Sequence, residues 1–500
     1  MAVGQLGIAS AGGRARGDLG PERERAAALS PLTDTGAAAE SAARRRRRRR
    51  GRRRTRSGGW TQAHVRRLFW RAGFGATPRE AAYWSRRGKQ ATIRWMLNGG
   101  PAPTPRIASA TVDGRPLDPA NEWSHDVLWW LDRMIRSPRP LKEKMTVFWH
   151  DHFATSDQDT PMMLAQNRTF RRHALGGFPD LLRAVTTDPA MLLHLSLADS
   201  DPEAPNENFA RELMELYTLG RGYTERDIRQ AARALTGFRS DWLGDGNVRT
   251  YYDREFHDGG RKRIFGHTGR YDWKDVLRLC VAHPSHAGFL VDKLWDYFVG
   301  GPMPRATRRR LAATYRRSGH RIKPVVADIL AHPALYRRLD HPNMVKSPVV
   351  FVSGALRSAG QGIERDSWGW LLSGMGQQLF SPPSVAGWDW GTAWLSSNSM
   401  HQRFDAANHL LDTPRVRVED KSTPPGLGPA KAVARARRAV GDPWTSRQTD
   451  RELLRIARRL LDDREKRRDG GWRQPKQQRA DMCQRVLRQL LVCGPDAQVH

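Results

Sequence analysis

Segments with apolar residues at helical spacing follow one another from Trp60 almost to the end of the sequence, and proline and glycine separate them. In the first segment, Val65, Leu68 and Phe69 fall on one helical face, and Gly73 then interrupts the pattern. Apolar residues three and four positions apart lie on the same side of a helix, so each segment can bury one face against its neighbours. The sequence therefore predicts a mainly α-helical, bundle-like globular domain.

One stretch departs from helical spacing. Residues 249–266 contain two β-prone runs on either side of an Asp-Gly-Gly sequence at 258–260, which favours a tight turn. We expect one small β-hairpin there. Thr224 followed by Asp227 three residues later is instead typical of a helix start, because the two side chains can cap each other's backbone amides.

Composition divides the chain into four parts. Residues 1–59 contain "RRRRRRRGRRRTR" and too few apolar residues to form a core, so we expect a disordered N-terminal arm. Residues 60–411 are expected to form the main helical domain. The Pro- and charge-rich residues 412–446 predict a linker or long surface loop, and residues 447–500 predict C-terminal helices that pack on the main domain.

The net charge of +32 limits the kinds of partner that the protein can have. Residues 1–56 hold 15 arginines and 5 acidic residues, so most of this charge lies in the rest of the chain. A basic surface of this kind favours an anionic polymer, either a glycan or a nucleic acid, as a partner. No helix-turn-helix, zinc-finger or RNA-recognition signature supports a dedicated nucleic-acid role. No apolar run approaches the ~18–20 residues of a transmembrane helix, and the three cysteines are too few for a disulfide framework.

Several sequence blocks occur in a familiar order between residues 62 and 497, among them "FWHDHFATS", "NENFARELMELYTLGRGYTERDIRQAARALTGF", "KSPVVFVSGALRSAG" and "MGQQLFSPPSVAGWDWGTAWLSS". In this order they resemble the bacterial family known as the domain of unknown function 1800. The resemblance implies the fold of that family but no activity, because the family has no agreed biochemical function. It also implies an exported, envelope location, since many members look exported. The absence of a readable apolar signal segment predicts a cytoplasmic location instead.

The segment "NENFARELMELYTLG" carries the first candidate site. At 100° per residue, Asn208, Glu212 and Glu215 fall within an arc of about 60° on one side of a helix. Glu207 and Arg211 form an (i, i+4) pair beside them. Such a carboxylate pair could bind a metal or divide the acid and base roles of catalysis, with Arg211 as an anion clamp. The alternative is an ordinary solvated helix face with salt bridges.

Two histidines in "FWHDHF" form the second candidate site. His150 and His152 point about 200° apart on a helix, so they cannot share a metal ion unless the helix ends there. His152 lies on the apolar stripe, which predicts a buried, hydrogen-bonded histidine. We keep His150 as a candidate catalytic acid, and His152 and Glu207 as candidate ligands of a divalent metal, whose identity the sequence leaves unknown.

The third candidate site lies at the predicted hairpin. His257 and Asp258 form a doublet of the kind found in phosphohydrolase metal sites, and Lys262 follows as a candidate binding residue. Such doublets normally lie on a helix, whereas this one precedes two glycines. The alternative is a turn in which Asp258 accepts a local backbone hydrogen bond.

A loop rich in glycine, proline and tryptophan, "SPPSVAGWDWGTAW", forms the fourth candidate. Trp388 and Trp390 could present flat surfaces to sugar rings or nucleobases. The alternative is that buried indoles fix the loop to the core.

Two functions are compatible with these residues. The first is a hydrolase-like or metal-assisted enzyme that acts on an anionic or carbohydrate polymer of the cell envelope. Glu212 would then be the general base or a metal ligand, and a histidine would be the acid. The second is a non-catalytic polyanion-binding or assembly protein in which the same blocks are structural. The two differ in whether Glu212, a histidine and Asp258 share one cleft.

Overall fold

The computed structural model describes residues 59–156, 159–244, 248–462 and 475–500. The predicted N-terminal arm, apart from Gly59, lies outside these residues. The described residues from Trp60 onward belong to one compact unit. No helix in the described ranges is long and apolar enough to cross a membrane.

Helices account for most of the described chain, which confirms the prediction of a mainly α fold. In the first half they are α1 (Gln62–Arg71), α2 (Pro78–Arg87), α3 (Lys89–Asn98), α4 (His125–Arg136), α5 (Pro140–His152), α6 (Thr160–His173), α7 (Phe178–Thr186), α8 (Pro189–His194), α9 (Asn208–Glu212) and α10 (Glu225–Leu235). In the second half they are α11 (Trp273–Ala282), α12 (Pro284–Phe298), α13 (Arg305–Arg317), α14 (Ile322–Ala331), α15 (Pro348–Ala359), α16 (Ser367–Gly374), α17 (Ser397–Leu411), α18 (Pro429–Ala439), α19 (Arg447–Leu461) and α20 (Lys476–Cys493). Within the described ranges, 3₁₀ turns occur at Pro333–Tyr336, Gly391–Leu395 and Pro495–Gln498. The predicted Thr224–Asp227 capping box is present at the start of α10.

Small antiparallel hairpins interrupt the helices, and their positions correct one prediction. The strands are β1 (Thr111–Val112), β2 (Arg115–Pro116), β3 (Phe238–Trp242), β4 (Val248–Tyr252), β5 (Lys262–Ile264) and β6 (His267–Gly269). The hairpin predicted across 258–260 is wrong, because β4 pairs back with β3 and β5 pairs forward with β6. The β5–β6 turn has positive φ at both Phe265 and Gly266, as a two-residue turn of this kind requires. The short Phe265–Gly266 turn therefore favours the pairing of β5 with β6 over the predicted pairing across 258–260.

The segment predicted as one α-helix at 206–220 contains two kinds of helix. α9 continues without a break into a π-helix, Leu213–Thr218, whose last turn has the wide hydrogen bond from the Leu219 amide to the Met214 carbonyl. The apolar side is buried as predicted, with Phe209, Leu213 and Tyr217 all at most 1% exposed. Because a π-helical turn holds more residues than an α-helical turn, the predicted 60° arc of Glu212 and Glu215 does not apply here.

Two clusters of buried apolar side chains form the core, and α5 contributes to both. Met145 and Trp149 belong to the cluster that contains most of α1–α14, and Val147 belongs to the cluster around α4 and α15–α20. Residues 412–446, for which a linker or loop is predicted, contain α18, whose Ala432 and Ala436 are buried in the second cluster. Alanines give a weak apolar signal in the sequence, and so this helix is difficult to recognise there.

A buried ion pair joins α2 to α15. The Glu80 carboxylate accepts a hydrogen bond from Arg357, and both side chains are at most 2% exposed. Arg357 also donates to the carbonyl oxygens of Gly75, at 3.1 Å, and Ile135, at 2.6 Å. The same Glu80 carboxylate caps α2 by accepting from the Thr77 amide. One acidic side chain thus fixes both the start of α2 and its position on α15.

Candidate functional site

A cavity of about 820 Å³ lies where α5, α12, residues 343–347 and the tryptophan loop meet. Its aromatic lining consists of Phe148, Tyr297, Trp388, Trp390 and Trp394. Its polar lining includes Lys144, Asp151, His152, Lys293, Asp296, Asn343, Gln377, Asp389 and His500. A large concave site with aromatic walls and a few charged groups is the usual form of a small-ligand site.

α5 places an unusual set of charged side chains at this cavity. The helix is covered on almost all sides, since most of its residues from Pro140 to His152 are buried. It still carries the ionisable side chains of Glu143, Lys144 and Asp151. Glu143 forms an ion pair with Arg171 at 2.9 Å, whereas Lys144 and Asp151 line the cavity. Ionisable groups on a buried helix are costly unless they are paired or functional, which makes this helix the centre of the candidate site.

Asp151, at the wall of the cavity, has a strongly perturbed carboxyl group. Burial raises the pKa of Asp151 to about 7, and the Trp388 amide and the Lys293 charge oppose that shift. Its Oδ1 accepts a hydrogen bond from the Trp388 amide at 2.8 Å. Its Oδ2 has no hydrogen-bond partner in the part of the chain that the structure describes. Near neutral pH the group can therefore hold or release a proton.

The close contact between the tryptophan loop and Asp151 depends on Gly387. This glycine has φ +89°, and a Cβ there would overlap Asp151 Oδ1 and lie 2.7 Å from the Asp151 carbonyl oxygen. Glycine avoids both the overlap and the strain of a positive φ. The following amide, that of Trp388, can then reach the carboxyl group.

The segment "NENFARELMELYTLG" meets the cavity through its main chain. The last carbonyl groups of a helix lack partners within the helix. Here the Leu216 carbonyl accepts from Lys293 Nζ at 3.0 Å, and the Tyr217 carbonyl accepts from His152 Nε2 at 3.1 Å. Lys293 Nζ also donates to His152 Nδ1 at 3.2 Å. The π-helix therefore positions two cavity residues, His152 and Lys293.

These contacts set the protonation of His152 and Lys293. Burial, followed by the Lys293 charge, lowers the pKa of His152 well below its usual value, so the ring is neutral with its proton on Nε2. Burial lowers the pKa of Lys293 to about 8, while the charge of Asp151 raises it. The charges of Asp151 and Lys293 therefore act on each other, and both groups have pKa values close to neutral pH.

His150 lies behind the cavity and not in it. Its Nε2 accepts a hydrogen bond from the Phe380 amide at 3.1 Å, and its ring lies 5.3 Å from the Trp388 ring, centroid to centroid. Burial lowers the pKa of His150 to about 3. The neutral His150 ring therefore packs against Trp388 of the tryptophan loop.

The three tryptophans of the loop have different exposures. Trp388 and Trp394 are 4% and 5% exposed, whereas Trp390 is 50% exposed. The Trp390 ring packs edge-on to the Tyr297 ring at 5.4 Å. Trp388 is therefore buried against the core, and Trp390 leaves half of its surface open at the cavity.

The side chains of the predicted glutamate site lie on a different surface from the cavity lining. Arg211 donates to Glu225 at 2.8 and 2.9 Å and to Glu207 at 3.2 Å, and all three side chains are substantially exposed. Burial, followed by the charge of Glu215, raises the pKa of Glu212. Neither Glu212 nor Glu215 is among the residues that line the cavity. Asn208 is exposed at the start of α9. The Arg211 guanidinium, the predicted anion clamp, is thus already paired with two carboxylates of the protein.

The predicted site at 257–262 is held together by contacts within the protein. Asp258 accepts from Arg233 Nε at 2.7 Å and from the Gly260 amide at 2.8 Å, the local turn bond that the alternative requires. His257 Nδ1 lies 3.0 Å from the Thr236 carbonyl oxygen. Lys262 is 1% exposed and donates to the main chain, including the Tyr271 carbonyl at 3.0 Å. These residues lie outside the lining of the cavity.

Candidate metal ligands are dispersed. Within the described ranges, no group of three or more His, Cys, Asp or Glu side chains is arranged to hold a metal ion. Of the two predicted ligands, His152 uses both ring nitrogens in hydrogen bonds and Glu207 is paired with Arg211.

The residues that the sequence analysis missed are Asp151, Lys293 and Lys144. Asp151 lies between the two histidines of "FWHDHF", and a single aspartate there gives no signal of its own. What distinguishes it is its contact with Trp388, 237 positions later. Of the predicted residues, the fold brings together His152, Trp388 and Trp390 at the cavity, with His150 behind them.

The fold and this site define a mainly α-helical protein with a tryptophan-lined cavity, whose wall contains a neutral histidine, a carboxyl group and an amine group. Residues 67–499 match the family described as Protein of unknown function (DUF1800), and the chain therefore belongs to that family. The resemblance of its sequence blocks predicts this membership, which the match confirms. No curated protein and no solved structure matches the chain significantly.

Proposed function

We propose that the protein is a hydrolase that cleaves a carbohydrate in the tryptophan-lined cavity, with Asp151 as the general acid. The observation that carries this proposal is the Asp151 carboxyl group, whose pKa is raised to about 7 at the wall of a cavity with an open indole face. A carboxylic acid that is still protonated near neutral pH is what acid-catalysed cleavage of a glycosidic bond needs.

Each step of this reaction can be assigned to a group at the cavity. Asp151 donates its proton to the leaving oxygen as the glycosidic C–O bond breaks. Asp389, an exposed carboxylate between Trp388 and Trp390, accepts a proton from the water molecule whose oxygen forms the new C–O bond. Asp389 then releases its proton to solvent. Lys293 supplies a proton that restores the Asp151 acid, and solvent reprotonates the amine. The net change is the addition of one water molecule across the bond.

The aromatic lining supplies the binding part of the proposal. The open face of Trp390 and the edge of Tyr297 offer apolar surface to the C–H groups of a sugar ring. The carboxyl and amine groups around them can hydrogen-bond the hydroxyl groups. Such a mixture favours a carbohydrate over a purely apolar ligand.

This proposal places the acid on Asp151 and leaves the two histidines of the same helix neutral. His150 and His152 have pKa values far below their usual range because of burial, so neither supplies a proton near pH 7. The glutamate segment acts through the Leu216 and Tyr217 carbonyl groups, which hold Lys293 and His152 in place. Glu212 and Arg211 have no part in the chemical step.

The proposal can be tested with the full chain and a panel of neutral and acidic polysaccharides. New reducing ends measure hydrolysis, and quenching of tryptophan fluorescence by the matching oligosaccharides measures binding. We expect Asp151→Asn to reduce hydrolysis at least 100-fold, as loss of a general acid does, without loss of binding. The matched control is Asp405→Asn, at an exposed aspartate that pairs with His401 on α17.

Two results would contradict this function. Equal hydrolysis by Asp151→Asn and the parent protein would remove Asp151 from the reaction. Binding of acidic polymers without any turnover would favour the non-catalytic, polyanion-binding alternative.

A further inference from the structure

The wall of the cavity contains a lysine that has no acidic partner. Lys144 is 5% exposed and lines the cavity. Its Nζ forms no hydrogen bond or ion pair within the described ranges. Two aromatic rings lie near it, with Nζ 5.5 Å from the centre of the Phe74 ring and 5.3 Å from that of Tyr297. The amine is therefore buried, unpartnered and directed at a space large enough for a ligand.

Arg71 lies beside Lys144 and also lacks an Asp or Glu partner among the described residues. It is 1% exposed, and its guanidinium donates to the main-chain oxygens of Val299 and His500, both at 2.9 Å, and to the Asn343 side chain. Its Nε is buried without a partner.

The charges in this part of the wall act on each other. Burial, followed by the charge of Arg71, lowers the pKa of Lys144 to about 7. Burial, followed by the charges of Arg71, Lys144, Lys346 and Arg67, lowers the pKa of His500 well below its usual value. Positive charge in a poorly hydrated site is unfavourable unless a negative group compensates it. A ligand anion is the group that would do so.

We infer that Lys144, on which the positive charge of Arg71 acts, forms an anion subsite of the cavity, which binds a carboxylate, sulfate or phosphate substituent of the ligand. Lys144 and Asp151 are seven residues apart on α5, so they lie on the same helical face about 10 Å apart along its axis. The anionic substituent is thus bound at a distance from the bond that Asp151 cleaves. Where the ligand is a carbohydrate, as the proposed function has it, its class is an acidic glycan.

Binding of three anions by the full chain tests the subsite. The probes are an oligogalacturonate, a sulfated galactan oligosaccharide and inorganic phosphate, which distinguish a carboxylate, a sulfate and a phosphate group. A neutral galacto-oligosaccharide of the same length is the reference ligand. Isothermal titration calorimetry gives each affinity. We expect at least one anion to bind more tightly than the reference, and Lys144→Met to weaken it about 10- to 100-fold, the usual effect of losing a charge-assisted hydrogen bond.

The matched control is Lys142→Met, on the same helix but outside the lining of the cavity. This change should leave the affinity for the anion unaltered. Lys144→Met should fold, because it replaces a buried, unpartnered amine with an apolar side chain of similar length. Lys144→Gln, which keeps a polar group without the charge, provides a second test of the same loss.

The outcomes separate the subsite from the proposed hydrolysis. No preference of the parent protein for any of the three anions would overturn the subsite, and so would equal weakening by Lys144→Met and Lys142→Met. Lys144-dependent anion binding without hydrolysis would uphold the subsite and refute the proposed function. Asp151→Asn should retain the anion binding, because the subsite does not include the acid.

Discussion

Replacing Gly387 by alanine should separate the tryptophan loop from Asp151. The new Cβ would overlap Asp151 Oδ1 and approach the Asp151 carbonyl oxygen to 2.7 Å. Main-chain and carboxyl oxygens on a buried helix cannot move far, so the loop has to shift. The hydrogen bond from the Trp388 amide to Asp151, 2.8 Å long, is then lost.

The magnitude follows from two contributions. A side chain at φ +89° costs about 1–2 kcal/mol relative to glycine. Loss of a hydrogen bond to a carboxyl group that stays largely buried costs about 1–3 kcal/mol more. We therefore expect Gly387→Ala to lower the free energy of unfolding by about 2–5 kcal/mol.

Gly391→Ala is the matched control in the same loop. Gly391 has φ +67°, and a Cβ there would meet no atom within 4 Å. This variant should lose only the about 1–2 kcal/mol that the backbone conformation costs. The difference between the two variants isolates the contact with Asp151.

Chemical unfolding followed by tryptophan fluorescence measures both variants. Fluorescence suits this change because three tryptophans of the loop line the cavity. If Gly387→Ala and Gly391→Ala were equally destabilised, the loop would not be fixed against Asp151 as described. The role given to the Trp388 amide would then be refuted.

Three further changes test other parts of the structure. The raised pKa of Asp151, about 7 in the folded protein against about 4 unfolded, stabilises the fold below about pH 4 relative to higher pH. The unfolding free energy should therefore fall between about pH 4 and pH 7, and Asp151→Asn should flatten that decline in unfolding measured across this range. Glu80→Ala should destabilise the protein by about 3–5 kcal/mol in chemical unfolding because it leaves the buried Arg357 unpaired. The control Glu452→Ala, at an exposed ion pair on α19, should cost at most about 1 kcal/mol. Similar losses in the two variants would refute the idea that burial makes the Glu80–Arg357 pair important for stability. Trp390→Ala should weaken oligosaccharide binding about tenfold by calorimetry, whereas Trp370→Ala, at a 59% exposed tryptophan outside the cavity, should leave it unchanged.

The helices could be predicted from the sequence because their signal is local. The spacing of Val65, Leu68 and Phe69 predicts α1, and all three side chains are fully buried. The pairing of the strands could not be predicted from β-prone runs alone, since the turn at Phe265 and Gly266 competes with the more obvious Asp-Gly-Gly sequence. The π-helix has no clear signature in the sequence either, because its apolar residues are also compatible with α-helical spacing.

The candidate site could be predicted only in part. The tryptophan loop stands out through its composition, and His152 through its place on an apolar stripe. The importance of Asp151 and Lys144 depends on what the fold places around them, and neither a single lysine nor a single aspartate shows this in the sequence. The glutamate segment misleads for the opposite reason, because its most conspicuous side chains are exposed while its carbonyl groups make the contacts with His152 and Lys293.

The contacts of Arg71 have a consequence for how the cavity is made during synthesis. Arg71 donates to His500, 429 positions later, and to Val299, 228 positions later. Contacts of such long sequence separation form late, because the intervening chain has to be ordered first. Until the ribosome has made His500, which lines the cavity, the wall is incomplete and the aromatic lining is open to solvent. A nascent chain that is released earlier would therefore expose an apolar, aggregation-prone surface.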